Sequence, residues 1–287
     1  MSTGPFGPCL PEKVERKQNI SDNGNNVKPL LQPRHAIELF HSHFTAKLDA
    51  LTSAEAYAIK GGCNLRMLLG SPRASEDLDL DIHQVAKHTL QKRVENIIAG
   101  LAKSFPKNGV SIASYTAPKQ TETVQRWKIT LVLLGQEIPT KVEFSRRSIQ
   151  TPSRGPIVKT FESDYGVKTM LSHYGPDIAL DQKIKALAGR NISQARDVFD
   201  AAYLTGIGAR HPESLGEEIL NKAINNTASL TFEDYTGQVI PYLEETDAEK
   251  FGTEQVWDGL KKQVLSMLRT IPVEILPLGK TGDTEIQ

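Results

Sequence analysis

Apolar residues recur at three- and four-residue spacing from Ile37 through Phe40 and Phe44 to Leu48, the period of an amphipathic helix. The pattern then changes. Tyr57-Ala58-Ile59 is a short apolar run leading into Gly61-Gly62, and Asp77-Leu78-Asp79-Leu80-Asp81-Ile82 alternates without interruption. In a strand this alternation puts Leu78, Leu80 and Ile82 on one face and three carboxylates on the other. Helical spacing returns over 84–104 through Val85, Leu90, Val94, Ile97, Ile98 and Leu101. Strands are predicted over 110–115, 126–134 and 138–145, the last two joined by a hairpin-sized Gly135-Gln136-Glu137. These elements predict an α/β fold of the α+β kind, a mixed sheet with helices packed on it.

Pro152-Ser153-Arg154-Gly155-Pro156 breaks the periodicity and marks a predicted domain boundary. Beyond it the spacing predicts helices over 178–189, 193–204 with Ser193 as N-cap, 212–225, 232–244 and 254–271. In the last of these, Trp257, Leu260, Val264, Met267, Leu268 and Ile271 form one stripe, as in bundle packing. The expected organisation is a disordered leader over 1–33, a mixed-sheet domain over 34–151, a mainly helical domain over 152–272 and a tail over 273–287. The leader is dense in Pro, Gly, Asn and charge and has too little apolar periodicity to offset its ordering entropy.

Charge narrows the function classes. Lys plus Arg number 34 and Asp plus Glu number 34 in 287 residues, which excludes a histone-like or polybasic role. A nucleic-acid partner then needs a local patch, for which Arg146, Arg147, Arg154 and Lys159 are candidates, although a solvated charge run has the same appearance. The longest apolar stretch, near Ile129–Leu134, is far short of the roughly 20 residues of a membrane-crossing helix, and the N-terminus has no hydrophobic signal core. The expectation is a soluble, cytoplasmic protein without a membrane partner. Cys9 and Cys63 are the only cysteines, which excludes a disulfide framework and a four-cysteine zinc site. Among the histidines only His41-x-His43 approaches ligand spacing, so no zinc site is assigned and surface placement is expected.

The chemistry concentrates on the alternating strand. Asp77 and Asp79 project from the same face, roughly 6.5 to 7 Å apart at the backbone, and their mutual repulsion is relieved by a divalent cation. Glu143, on a strand where Val142 and Phe144 face the core, is a third candidate ligand that would complete a two-metal cradle for Mg²⁺. Alternation alone also describes the wet face of a half-exposed strand, to which Asp81 is assigned. Lys60-Gly61-Gly62 stands upstream, where two glycines permit positive φ and close approach of backbone to phosphate. On the helix over 178–189, Lys183 and Arg190 lie seven positions apart and return to nearly the same face, a basic edge suited to triphosphate or to solvent. In the following helix, Asp197 is positioned either to orient Lys183 or to stabilise the helix N-terminus, and Arg196 is spaced to pair with Asp200.

Four segments, in order, resemble the motifs of the AbiEii nucleotidyltransferases, the toxins of abortive-infection toxin–antitoxin pairs. They are Lys60-Gly61-Gly62; Arg73-x-Ser75-Glu76-Asp77-Leu78-Asp79-Leu80; Gln182-Lys183-Ile184-Lys185-Ala186-Leu187 running to Arg190; and Arg196-Asp197-Val198-Phe199-Asp200. The resemblance spans Lys60 to Leu204. It implies a polymerase-β-like nucleotidyltransferase domain with Asp77 and Asp79 as Mg²⁺ ligands. Gly61, Gly62 and Ser75 would contact the nucleotide phosphates, with Lys60 and Arg190 in the nucleotide-binding set. Lys183 matches the motif lysine of binding and catalysis, and Asp197 the acid of the fourth motif. The sequence departs at Cys63, where the family usually places Thr or Ser, and a thiol is a poorer donor to phosphate than a hydroxyl. The implied activity is Mg²⁺-dependent transfer of a nucleotide from an NTP to an acceptor, with a tRNA 3′ end as the leading candidate, with release of pyrophosphate and with a cognate antitoxin as a candidate partner. Transfer to a protein side chain, and a non-catalytic nucleotide-binding or partner-binding module supported by Cys63, remain open at this point.

Overall fold

The computed structural model describes residues 32–146 and 155–274. The predicted leader apart from Gln32 and Pro33, Cys9, Arg147, Arg154, most of the Pro152–Pro156 break and the tail beyond 274 lie outside the described residues. Among the described residues eight strands form one mixed sheet: β1 (Tyr57–Lys60), β2 (Asp77–Ile82), β3 (Val110–Tyr115), β4 (Lys119–Gln120), β5 (Val124–Leu133), β6 (Gln136–Ser145), β7 (Ile157–Glu162) and β8 (Lys168–His173). Their order is β3-β5-β6-β2-β1-β8-β7, with β4 also pairing with β5. The β2–β6 and β1–β8 pairs are parallel and the others antiparallel.

Two helices cover one face of this sheet. α1 (Pro33–Asp49) begins with Pro33 at its first position, where a missing N–H is tolerated, and buries Ile37, Phe40, Phe44 and Leu48. α3 (Lys87–Ser104) adds Leu90, Val94, Ile97, Ile98 and Leu101, and both pack on Leu78, Leu80 and Ile82 in a single core. The apolar half of the alternating strand is thereby dry, and its carboxylates are left for the other face.

The β5–β6 hairpin turns on Leu134 (φ +50°) and Gly135 (φ +83°). Two consecutive positive-φ residues make a tight turn whose twist matches the strands, so Gln136 and Glu137, expected in the connection, belong to β6.

The larger departure follows the proline break. The region expected to be helical from residue 152 instead begins with β7 and β8, and β8 joins the sheet beside β1 through Ile59 and His173. Ile157-Val158-Lys159-Thr160-Phe161 carries the β-branched enrichment of a strand, and Gly166 (φ +74°) lies in the turn to β8. The helices gather only from Pro176: α4 (Pro176–Gly189), α5 (Ala195–Gly206), α6 (Glu217–Ser229), α7 (Phe232–Gln238), α8 (Glu245–Phe251) and α9 (Glu254–Thr270). The N-cap of α5 is Gln194 rather than Ser193. The helix expected over 232–244 stops at Gln238. Pro241 lacks the N–H a continuing helix needs, and a 3₁₀ turn over Ile240–Tyr242 leads to α8.

These helices enclose a second core containing Leu180, Ile184, Val198, Phe199, Trp257, Leu260 and Val264. α2 (Gly61–Met67) joins the two cores, for Cys63 packs with the sheet and Leu65 with the helices. Trp257 is 1% exposed and stacks on Tyr235 at 4.7 Å between ring centroids. Trp257→Ala is expected to lower unfolding stability by about 3–5 kcal/mol in urea titration, the cost of an aromatic void in a closed core. A loss below 1 kcal/mol would mean the helical core is not packed this way.

Candidate active site

The polar face of β2 is the floor of the site. Asp79 faces Lys60 of β1 on one side and Glu143 of β6 on the other, and Asp77 faces Lys141. Directly opposed residues hold their Cβ atoms about 4.5–5.5 Å apart, so Asp79 and Glu143 repel one another across the ladder. The outer acids are neutralised within the protein. Lys141 Nζ lies 2.7 Å from Asp77 Oδ2, and Arg126 Nε donates to Glu143 Oε2 at 2.5 Å. Among the described residues no hydrogen bond or ion pair reaches the Asp79 carboxylate. Burial, then Glu143, then Asp77 push its pKa above the ordinary carboxylate value, against the weaker pull of Lys141 and Lys60.

The glycine turn closes on this carboxylate. Gly61 has φ +65°, and a Cβ built on it would stand 3.0 Å from Asp79 Oδ2. A Cβ on Gly62 would stand 2.7 Å from Ser75 Oγ and 3.2 Å from Arg73 Nη2. Glycine is favoured at the first position by its positive φ, and at both a Cβ would displace the polar side chains of the floor. The turn places backbone at the start of α2 beside Asp79, Ser75 and Arg73.

Lys60 does not point freely into the site. Its Nζ is 2.6 Å from Asp81 Oδ1, and the Tyr174 hydroxyl donates to Asp81 Oδ2 at 2.7 Å. Asp81 is thus buried and doubly held, not part of a wet strand face as expected from alternation. Cys63 is also buried. Its thiol donates to the Asp77 carbonyl at 3.1 Å and meets His41 Nδ1 at 3.2 Å, while Ser75 Oγ donates to the same carbonyl at 3.0 Å. The departure from a hydroxyl at 63 therefore falls on a side chain that supports β2 from the core. His41 and His173, expected at the surface, are 2% and 0% exposed, and burial holds their pKa values down at about 3 and about 4.

The motif side chains on the helices form a buried chain of charges. Asp200 accepts from Arg73 Nε at 3.0 Å and Nη2 at 2.8 Å, and its Oδ2 is 2.7 Å from Lys183 Nζ. Lys183 also donates to Asp197 Oδ1 at 3.0 Å, whose Oδ2 accepts from Arg190 Nε at 2.6 Å. Lys183 and Arg190 do share a side, but they converge on Asp197, and Lys183 is 8% exposed rather than on an open basic edge. The expected Arg196–Asp200 pair is replaced, because Asp200 faces inward. Arg73 and Lys183 overcome the desolvation of Asp200 and hold its pKa down at about 2, and the two aspartates raise that of Lys183 against its burial.

The sequence pattern assigns no individual role to Arg73, Tyr174 or Tyr242, and to Asp200 only a pairing with Arg196. Tyr242 caps the start of β2, its carbonyl accepting from Ala74 N at 2.8 Å and its hydroxyl donating to Glu76 at 2.6 Å. The Arg-x-Ser and Arg-Asp-x-x-Asp spacings were the available signal for Arg73 and Asp200, but nothing local links residues 127 positions apart. Of the proposed basic rim, Arg146 donates to Val85 O and Gln125, and Lys159 to Leu68 O, so both serve the fold.

The donor chemistry suits a divalent cation, since Asp79 has no partner among the described residues, Glu143 faces it on the neighbouring strand and Asp77 shares its face of β2. Among the described residues no three ligands have converged into a metal-binding group. Lys141 and Arg126 hold the outer two. No helix among the described residues is long and apolar enough to cross a membrane.

A family model described as the nucleotidyl transferase AbiEii toxin of type IV toxin–antitoxin systems matches residues 44–275. Two crystal structures from Helicobacter pylori share the fold. One, described as a candidate nucleotidyltransferase, is 20% identical with a TM-score of 0.54 over 84% of this chain and 96% of its own. The other, JHP933, is 20% identical with a TM-score of 0.54 over 85% and 93%. No curated protein matches the sequence significantly.

Two outcomes follow from the charges. A carboxyl whose pKa rises on folding destabilises the fold as pH climbs past its unfolded value. Without divalent cations, Asp79→Asn should therefore melt above the native chain at pH 7 and converge with it near about pH 3, below the ordinary carboxylate range. A native chain that melts no lower at pH 7 would remove the electrostatic strain assigned to Asp79. Asp200 has the opposite sign, giving stability above its unfolded pKa that is lost as pH falls through about 2. Asp200→Asn leaves Arg73 and Lys183 short of a buried counter-charge and should cost about 3–5 kcal/mol in urea titration at pH 7.

Proposed function

The chain belongs to the AbiEii nucleotidyl transferase toxin family and is a nucleotidyltransferase, and from that premise we propose that it transfers a nucleotide from an NTP to the 3′ end of a tRNA in a divalent-cation-dependent reaction, with Mg²⁺ as the ion. Family membership implies an NTP substrate and a cognate antitoxin. The observation that carries the finer reading is the Asp79 carboxylate, partly buried and unpartnered among the described residues, set against the Gly61-Gly62 turn.

Asp77, Asp79 and Glu143 are the residues that would hold the ion or ion pair. When bound, the cation would supply neutralisation of triphosphate charge and acidification of the acceptor hydroxyl. The remaining work falls to the chain. Backbone N–H groups at the start of α2 are donors for phosphate oxygens, and the close packing of Gly61 and Gly62 brings that backbone beside Asp79 and Ser75. Ser75 is anchored on the Asp77 carbonyl at the same turn. Arg73, held bidentately by Asp200, keeps a fixed positive charge beside Gly62. Lys183 and Asp197 act in this reading as a pre-oriented pair, with the lysine kept protonated by its two aspartates, while Lys60, held by Asp81, and Arg190, held by Asp197, are the remaining cations of the nucleotide-binding set. Such fixed charges stabilise the negative charge that develops during in-line attack on the α-phosphorus and departure of pyrophosphate.

The test is incubation of the native chain and Asp79→Ala with each radiolabelled NTP and total tRNA. Label on the tRNA 3′ end is expected with the native chain, and a loss of at least about 100-fold with the variant. Equal labelling by both proteins would remove the role assigned to Asp79.

A further inference from the structure

The sheet face that carries the carboxylates continues across β6 and β5 to the edge at β4, and its register sets cations on facing rungs. Lys141 is paired with Lys128, and Arg126 with Lys119. Like charges directly opposite one another destabilise a ladder, and here two such rungs lie side by side. The protein relieves half of this repulsion from the site itself, holding Lys141 with Asp77 and Arg126 with Glu143. Lys119 and Lys128 are exposed and have no carboxylate within ion-pair distance among the described residues. On β6 the cationic stretch ends at Glu137, on the same face as Lys141 but four residues before it.

From this arrangement we propose that the outer face of β4, β5 and β6 is the docking surface for the sugar-phosphate backbone of an RNA acceptor, with Lys119 and Lys128 as its free phosphate contacts. The inference rests on the nucleotidyl-transfer reading and adds where the acceptor lies. Charge complementarity favours a polyanion, and the continuity of the track with Asp77 and Glu143 favours one whose end reaches the reacting centre. An acidic polypeptide that merely covers the face has no need of that continuity. The contacts are to backbone charge, so binding should be indifferent to base sequence and steeply dependent on salt.

Binding is read by fluorescence anisotropy of 5′-labelled tRNA in an Asp79→Ala background, comparing Lys119 and Lys128 with the double variant Lys119→Glu/Lys128→Glu and the milder Lys119→Gln/Lys128→Gln. The charge-reversed variant is expected to weaken tRNA binding about tenfold or more at low salt. The neutral variant should flatten the slope of log affinity against log salt by about 1–2, the release of up to two counterions. NTP affinity and melting temperature should stay at the parent's values. Unchanged tRNA affinity and salt slope in both double variants would overturn the proposal, as would a variant that binds tRNA normally but loses an acidic polypeptide partner. Lysine-dependent tRNA binding by a chain that transfers no label would count against the reaction and leave this surface standing.

Discussion

Asp200 joins the two halves of the molecule. It is fully buried at the inner face of α5, accepts from Nε and Nη2 of Arg73 in the segment that leads into β2, and shares Lys183 of α4 with Asp197. A carboxylate buried without partners would take up a proton or exclude itself from the core, so its ionised state requires both cations to be in place. That requirement fixes Arg73 beside Gly62, fixes the path of residues 73–76, and so sets where β2 begins. Tyr242 secures the same segment by two hydrogen bonds from the helical side. The helices are therefore part of the site's construction although β2 supplies its acids.

The sheet contributes the opposite kind of electrostatics. Around Asp200 every charge is answered, whereas Asp79 is flanked by two acids whose own cations lie to the outside. A folded protein keeps such an arrangement at a cost in stability, and the cost vanishes when a cation from solution joins the acids. The Gly61-Gly62 turn packs its backbone directly on the polar atoms of the floor, where side chains would collide. Backbone donors at the start of α2 and unbalanced negative charge are thereby brought together, the combination that a metal-bound triphosphate requires.

How much of this was legible depended on range. The alternation of Asp77–Ile82, the helical stripes of α1, α3 and α9, and the hairpin at Gly135 are local patterns, and the folded elements follow them to within a few residues. The β-branched residues of β7 carry a strand signal, but the proline break before them reads as a domain boundary and separates them from the rest of the sheet in sequence. The pairing of β8 with β1 is a contact across more than 100 residues, for which no local pattern exists. Cys63 shows the same limit from another side. Its position after the glycines was plain, but its burial under β2 depended on α1 bringing His41 alongside.

Strand and helix periods are properties of the backbone, so local pattern is enough to set Asp77, Asp79 and Glu143 on the polar faces of their strands and Lys183 with Arg190 on one side of α4. What each of those charges meets is settled when distant segments pack on one another. Lys141 and Arg126 occupy the outer acids, Asp81 takes Lys60, and Asp197 with Asp200 takes Lys183, leaving Asp79 unanswered among the described residues. Partner choice is a matter of distance and desolvation between segments far apart in the chain, and those quantities come into being only when the sheet and the helices close on each other.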